Sequence, residues 1–185
     1  MNRPARIVLG VTGSIAAHKA IDIASQFTRL GHEVNVVLTR DAQRFVTALP
    51  FKTLSRRPVV TDLYDEDEGW KPRHITLADE ADVLLIAPAT ANTLAKLAHG
   101  MADDALGCVA LALNPAAAVV VAPAMNGKMW EHAATRANIG VLRSRGVEIL
   151  GPDNGLLSCG YEGVGRLMEV ERIVSRVVEI LGARV

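Results

Sequence analysis

The sequence predicts an α/β protein built on one doubly wound parallel sheet, and three observations predict it. Short runs rich in β-branched residues recur, among them ARIVLGVT (Ala5 to Thr12), ADVLLIAPA (Ala81 to Ala89) and AAVVVAPA (Ala117 to Ala124). They are apolar throughout rather than alternating, the pattern of strands covered on both faces, and they alternate with segments of helical period. Half of the residues are hydrophobic and only 4% are aromatic, which suits close packing of short side chains.

The elements follow in order. Ala5 to Thr12 is strand one. Ser14 then caps a helix whose apolar stripe is Ala16, Ala20, Ile23, Ala24, Phe27 and Leu30, and Gly31 closes it. Glu33 to Thr39 is strand two, and a short helix starts at Asp41. Asp62 to Arg73 is the most polar stretch and is expected to be a loop. Ala81 to Ala89 is strand three, with a helix over Asn92 to Ala98. Another helix starts at Asp103 or Asp104 and ends near Asn114-Pro115. Ala117 to Ala124 is strand four. Met129 to Arg145 is expected to be helical, Val147 to Leu150 is strand five, and Leu167 to Leu181 closes the chain as a helix.

Composition narrows the function. The chain has 185 residues, so one domain over 1–185 is expected. Formal net charge is +0 and no basic block stands out, which argues against nucleic acid as a partner. Two cysteines, Cys108 and Cys159, are too few for a disulfide framework, and no CxxC pair is present; no metal site is expected. The nearly apolar stretch Ala105 to Met125 is split by Asn114-Pro115 into halves too short to span a bilayer. With no targeting segment in view, the expectation is a cytoplasmic protein without a membrane partner.

In a doubly wound sheet the ligand binds outside the carboxyl ends of the strands. Those ends carry Thr12-Gly13-Ser14, Thr39-Arg40, Pro88-Ala89-Thr90 and Pro123-Ala124-Met125-Asn126. GVTGSIAAHK (Gly10 to Lys19) is a glycine turn feeding a helix, a geometry that suits an anion; a plain strand–helix turn with a serine cap explains the same residues. It is not GxGxxG, and strand two ends in Thr39-Arg40 rather than an acidic residue. Arg40 could meet an NADP 2′-phosphate, but the glycine spacing disagrees. The hydroxyls of Ser14, Thr39, Thr90 and Thr93 better suit a monophosphate with a polar ring system, as in FMN.

PATANT (Pro88 to Thr93) and PAMNGKMW (Pro123 to Trp130), with GVTGSIAAHK, RHITLADEAD around His74 and GLLSCGYEGVGR (Gly155 to Arg166), give the sequence a specific likeness. Over essentially its whole length it resembles the flavin-containing cysteine decarboxylases. That resemblance implies a flavodoxin-like (Rossmann-like) subunit binding FMN, assembled as trimers or multiples of trimers with active sites at subunit interfaces. It makes Gly13, Ser14, Ile15, Thr39, Thr90, Ala91, Asn92 and Thr93 the expected cofactor contacts. His74 matches the family's catalytic histidine, and Asn126 the asparagine that holds the substrate carboxylate. Cys159 falls in the segment resembling the substrate clamp, where a cysteine supplies a late proton. Met129 and Lys19 are further expected substrate contacts.

The chemistry wants such groups. Loss of CO₂ from an N-acylated cysteine leaves a carbanion with no electron sink. Oxidising the thiol to a thioaldehyde creates one, and that is chemistry a flavin supplies. A group titrating near neutrality is needed by the thiol, which suits His74. A neutral amide such as Asn126 orients the carboxylate without stabilising the ground state as a lysine would. Because Cys159 serves the final protonation, 4′-phosphopantothenoylcysteine, a small molecule of coenzyme A synthesis, is preferred as substrate over a peptide's C-terminal cysteine. Some family members are fused to the synthetase that makes this substrate. Two rival functions are a flavin prenyltransferase and a non-catalytic regulatory binder. The PAMN asparagine argues against the first, and the joint presence of His74, Asn126 and Cys159 against the second. The family often has a basic residue shortly after the histidine motif, where this chain has Ala78-Asp79-Glu80. The phosphate site is thus left open, with Arg73 or a neighbouring subunit as candidates.

Plainer readings hold elsewhere. His18, His32, His99 and His132 are read as structural or surface residues, and Cys108 as a small core residue. Met125, Met129 and Trp130 divide between core and interface. Lys19 divides between a phosphate and solvent, and Asp65 to Glu68 are read as solvated loop.

Overall fold

The computed structural model describes residues 3–64, 70–156, 160 and 162–183. Its main sheet has six strands in the order β3 (Val59–Val60), β2 (Glu33–Leu38), β1 (Arg6–Val11), β4 (Val83–Ala89), β5 (Ala118–Pro123) and β6 (Glu148–Ile149). Every neighbouring pair is parallel. Without the two-residue edge strand β3, which carries no sequence signal of its own, the order reduces to the flavodoxin pattern. Ile7 pairs with both Val34 and Val83, and Val83 with Ala118. The strands therefore start level, and their carboxyl ends reach one edge of the sheet together.

Side chains alternate across the pleat. Ile7, Leu9 and Val11 of β1 face a layer made by α1 (Lys19–Arg29), α2 (Ala48–Ser55) and α8 (Val170–Gly182), meeting Ile23, Phe27, Phe51, Val174 and Val177. Val8, Leu84 and Ile86 face the other layer, made by α3 (Arg73–Glu80), α4 (Ala91–His99), α5 (Ala105–Ala112) and α7 (Ala133–Ser144), and meet Leu77, Leu94, Leu106 and Ile139. Each of these buried apolar side chains contributes up to about 1.5–3 kcal/mol of transfer free energy. Among the described residues no helix is long and apolar enough to cross a membrane.

Several expectations are corrected. Met129 to Arg145 is not one helix but two, α6 (Gly127–Glu131) and α7, because His132 leaves the helical region (ψ 137°) and its ring nitrogen accepts the Ala134 amide. Histidine is an uncommon cap, so no signal marked the break. The first helix opens with a 3₁₀ turn over Ile15–His18 before α1, though Ser14 does accept the Ala16 amide. The short helix at Asp41 is only a 3₁₀ turn, Ala42–Arg44, and α2 follows it. Pro50 hid α2, yet it sits in the first helical turn, where proline removes no helical hydrogen bond. Arg73, expected in the polar loop, already belongs to α3, with Pro72 at its cap position; residues 65–69 lie outside the described residues. Between Asp103 and Asp104 the structure chooses Asp104, whose carboxylate accepts the Gly107 amide at 2.8 Å as the cap of α5. The closing helix starts at Val170 rather than Leu167. Finally, β7 (Asp153–Leu156) and β8 (Glu162–Arg166) form an antiparallel pair apart from the main sheet.

Candidate functional site

The chain runs outward from β1 to β2 and β3, then crosses back to β4, so a crevice opens where β1 and β4 end. Around it lies a cleft of about 860 Å³, within the range of small-molecule sites. It is lined by Gly13, Ser14, Ile15, Lys19, Thr39, Thr90, Ala91, Asn92, Thr93, Asn126 and Met129, which come to one place from four separate strand ends, as the sequence predicts. Ile15 is 61% exposed and Met129 48%, an arrangement that leaves apolar surface at the cleft.

The hydroxyl groups share one use. Ser14 Oγ accepts the Ala16 amide at 3.2 Å, and Thr39 Oγ1 accepts the Ala42 amide at 3.2 Å. Thr90 Oγ1 caps α4 by accepting the Thr93 amide at 3.3 Å, and lies 3.1 Å from Thr93 Oγ1. A hydroxyl whose lone pair serves a backbone amide keeps its own proton to donate. Thr90 and Thr93 spend one proton on each other, so Ser14, Thr39 and one of that pair remain as neutral donors suited to phosphate oxygens and ring carbonyls. This donor chemistry, with the cleft's size, fits a flavin mononucleotide. Gly13 is required by the chain itself, since a Cβ there would lie 2.5 Å from that of Asp41; the turn and the Thr39–Asp41 segment pack against each other directly.

Asn126 follows β5 as the cap of α6, its Oδ1 accepting the Lys128 amide at 2.9 Å. The turn it stands on is held from outside the sheet: Met125 N–H donates to Gly165 O of β8 at 2.9 Å. Gly165 has φ +147°, and a Cβ there would run into the Met125 carbonyl oxygen. The β7–β8 pair thereby brings Leu156, Gly165 and Arg166 to the cleft wall. This explains why a core strand is followed at once by Pro123-Ala124-Met125-Asn126: the turn carries a side chain to the sheet edge and receives the hairpin on its other side.

Arg40 and Asp41, of opposite charge, follow β2 at the cleft, and the other acidic and basic residues of the lining divide between two rims. On the α1–α8 side Lys19 Nζ lies 3.9 Å from Glu169, whose other oxygen pairs with Arg166. On the α4–α5 side Lys96 meets Asp103 at 2.6 Å and Asp104 at 3.3 Å. The Asp103 hydrogen bond, outweighing the opposite effect of burial and aided by Asp104, raises the Lys96 pKa, and the same bond lowers that of Asp103. Cys108, half-buried on α5, is pushed up by burial and by Asp104 and Asp103. It is outside the cleft lining.

His74 is the second residue of α3, half-buried, and does not line this cleft. Cys159 lies outside the described residues. Sequence reasoning placed Thr12 at a ligand-facing strand end without giving it a role, and missed Asp41 and Arg166 at the cleft. Thr12 is 1% exposed; its Oγ1 donates to Pro88 O at 2.7 Å and accepts the Thr90 amide at 3.1 Å, tying the ends of β1 and β4 together. A threonine ending an apolar strand was the available signal. For Arg166 there was none, because the hairpin itself was not expected. His18 also lines the cleft, whereas His32 accepts the Ala5 amide and packs edge-on against Phe27.

A hydroxyl-lined cleft at the switch point of a doubly wound sheet defines an α/β protein of the mononucleotide-binding class. The chain belongs to the Flavoprotein family, whose model matches residues 1–182. It is 44% identical over 176 residues to a probable phosphopantothenoylcysteine decarboxylase of Streptococcus mutans, covering 95% of this chain and 98% of that protein. It is 45% identical over 168 residues to the coenzyme A biosynthesis bifunctional protein CoaBC of Bacillus subtilis, covering 91% of this chain but only 41% of that one. Among solved structures it is similar to a cysteine-to-serine mutant of PPC decarboxylase complexed with pantothenoylaminoethenethiol (TM-score 0.88, 32% identity, 97% of this chain and 100% of that one). It is also similar to the FMN binding protein AtHal3 (TM-score 0.84, 33% identity, 98% of each chain).

Proposed function

We propose that this protein binds FMN and decarboxylates 4′-phosphopantothenoylcysteine to 4′-phosphopantetheine, a step of coenzyme A synthesis. The observation that carries the reading is that Asn126 stands on the same cleft as the Gly13–Ile15 turn and the Thr90–Thr93 cap. Similarity to named decarboxylases over nearly the whole chain supports it.

When bound, FMN supplies the hydride acceptor and donor that make a thioaldehyde of the substrate thiol and later restore the thiol. The hydroxyls of Ser14, Thr39, Thr90 and Thr93 hold the cofactor. The Asn126 amide orients the substrate carboxylate and, being neutral, lets it depart as CO₂. His74 exchanges a proton near the substrate sulfur, and Cys159 delivers one to carbon after CO₂ has left. Since His74 lies away from the cleft of its own chain, it serves the cleft of a neighbouring copy in a trimer or a multiple of trimers.

The purified protein is expected to be yellow and to release CO₂ from phosphopantothenoylcysteine but not from a peptide ending in cysteine. A colourless protein that takes up no FMN defeats the cofactor assignment. A flavin-loaded protein that acts only on the peptide defeats the substrate assignment.

A further inference from the structure

We propose that Lys19 and Arg166 form a receptor for a phosphomonoester at the α1–α8 rim of the cleft, and that it holds the phosphate end of the substrate, an assignment that rests on the decarboxylase reading. Both side chains line the cleft, and both lean on a single carboxylate, that of Glu169. Two cations sharing one anion leave an excess positive charge. The opposite rim is built the other way, with Lys96 between Asp103 and Asp104, which leaves an excess negative charge and no ammonium to spare. A dianion entering the cleft is drawn to the first rim and repelled by the second.

The bonding at the first rim leaves donors free for it. At 3.9 Å the Lys19–Glu169 pair is an ion pair but not a hydrogen bond. Lys19 is only 24% exposed, so its charge is less screened than that of a surface lysine. Arg166 adds a planar fork that matches phosphate oxygens, in contrast to the point charge of a lysine. Glu169 sits at the cap position of α8 without making a side-chain capping bond, and its side chain is 46% exposed. It can therefore turn to solvent when a stronger anion takes its place. Arg166 also follows Gly165, which receives the Met125 amide, so the rim lies on the Asn126 side of the cleft. The neutral hydroxyls of Ser14, Thr90 and Thr93 form a separate donor set, which suits the phosphate of the flavin.

The test compares kcat/KM for phosphopantothenoylcysteine and for pantothenoylcysteine, which differ only by the phosphate. Wild type is expected to prefer the phosphorylated substrate. Lys19→Met and Arg166→Met each lose about tenfold to a hundredfold on it, the worth of a hydrogen bond to a charged group, and change little on the other substrate. Arg166→Lys recovers part of the preference, and Glu169→Gln keeps or increases it. The preference of the apoprotein for FMN over riboflavin, read by flavin fluorescence, stays as in wild type for every variant. Equal losses on both substrates, or a preference lowered by Glu169→Gln, overturn the receptor. Loss of the FMN preference overturns its assignment to the substrate and transfers it to the cofactor. Wild type that turns over neither substrate overturns the decarboxylase reading, and this assignment with it.

Discussion

Thr12 and Asn126 do different work with similar means, each holding backbone in place while standing on the cleft. Thr12 is buried, and its hydroxyl serves the Pro88 carbonyl and the Thr90 amide at once. Thr12→Val keeps the shape and strands both partners, so it should destabilise the fold by about 1–3 kcal/mol, read as a lower urea midpoint with an unchanged slope. FMN affinity should fall with it, because the Thr90 cap moves. For Asn126 the local role and the proposed substrate role must be separated, since its Oδ1 caps α6. Asn126→Ala removes both and should abolish turnover while FMN stays bound. Asn126→Asp retains a good capping residue but sets a negative charge against the substrate carboxylate. It should be equally inactive with α6 intact. An active, FMN-loaded Asn126→Asp enzyme would show that capping is the asparagine's whole contribution.

At the scale of elements, the sheet is fastened at its amino edge by Asp82 and the cleft at its carboxyl edge by the hairpin. The Asp82 carboxylate accepts the Arg6 amide at 2.7 Å and both arms of the Arg3 guanidinium at 3.0 and 2.6 Å, joining β1 to the start of β4. Burial acts to raise its pKa, but the Arg3 and Arg6 hydrogen bonds outweigh burial and hold it below the ordinary carboxylate value. A depressed folded-state pKa contributes stability that is complete above the unfolded value, about 3.9, and is lost as pH falls through the folded one. Asp82→Asn should therefore cost about 1 kcal/mol at neutral pH, a modest figure because Arg3 is largely exposed. The difference from wild type should shrink below about pH 4 in a series of urea midpoints. At the other edge, Gly165→Ala should unseat β8 from Met125 and cost most of the turnover, with far-UV circular dichroism nearly unchanged because the main sheet is untouched. These elements differ in how far the sequence reveals them. β1, β4 and β5 are apolar runs buried on both faces and β2 is one in its second half, and burial of that kind leaves its mark in composition. The row of cleft hydroxyls was legible for the same reason, as polar residues at the ends of such runs. The β7–β8 pair was not: Asp153–Leu156 and Glu162–Arg166 are half-exposed and rich in glycine, and their place is set by a contact with Met125 forty residues earlier in the chain. The two-residue β3 rests likewise on tertiary partners rather than on local pattern, whereas the helix break at His132 is local but uses an uncommon capping residue.

For the molecule as a whole the decisive fact is where His74 lies. The cleft gathers Asn126 and the flavin-type donors at the ends of β1, β2, β4 and β5, whereas His74 stands in the first turn of α3, half-buried and outside the lining. If, as proposed, a chain supplies Asn126 to one cleft and His74 to the next, its sites are incomplete until copies associate in a ring, the closed form of a head-to-tail contact. On that reading two variants, each inactive alone, should complement each other. His74→Ala retains Asn126, and Asn126→Ala retains His74. In oligomers mixed at random from equal amounts of the two, a site is whole when its Asn126 comes from the first variant and its His74 from the second, which happens for about a quarter of the sites. Co-expression with two different affinity tags, followed by purification through both, should therefore recover decarboxylase activity of about a quarter of wild type in a large multiple of trimers and about a third in a single trimer, from which the double selection removes the uniform rings. Each variant alone, assembled to the same size and loaded with FMN, should stay inactive. If every site drew both residues from one chain, each site in the mixed oligomer would lack one of them. The mixture would then be as inactive as its parts, which would place His74 and Asn126 in the same chain's site.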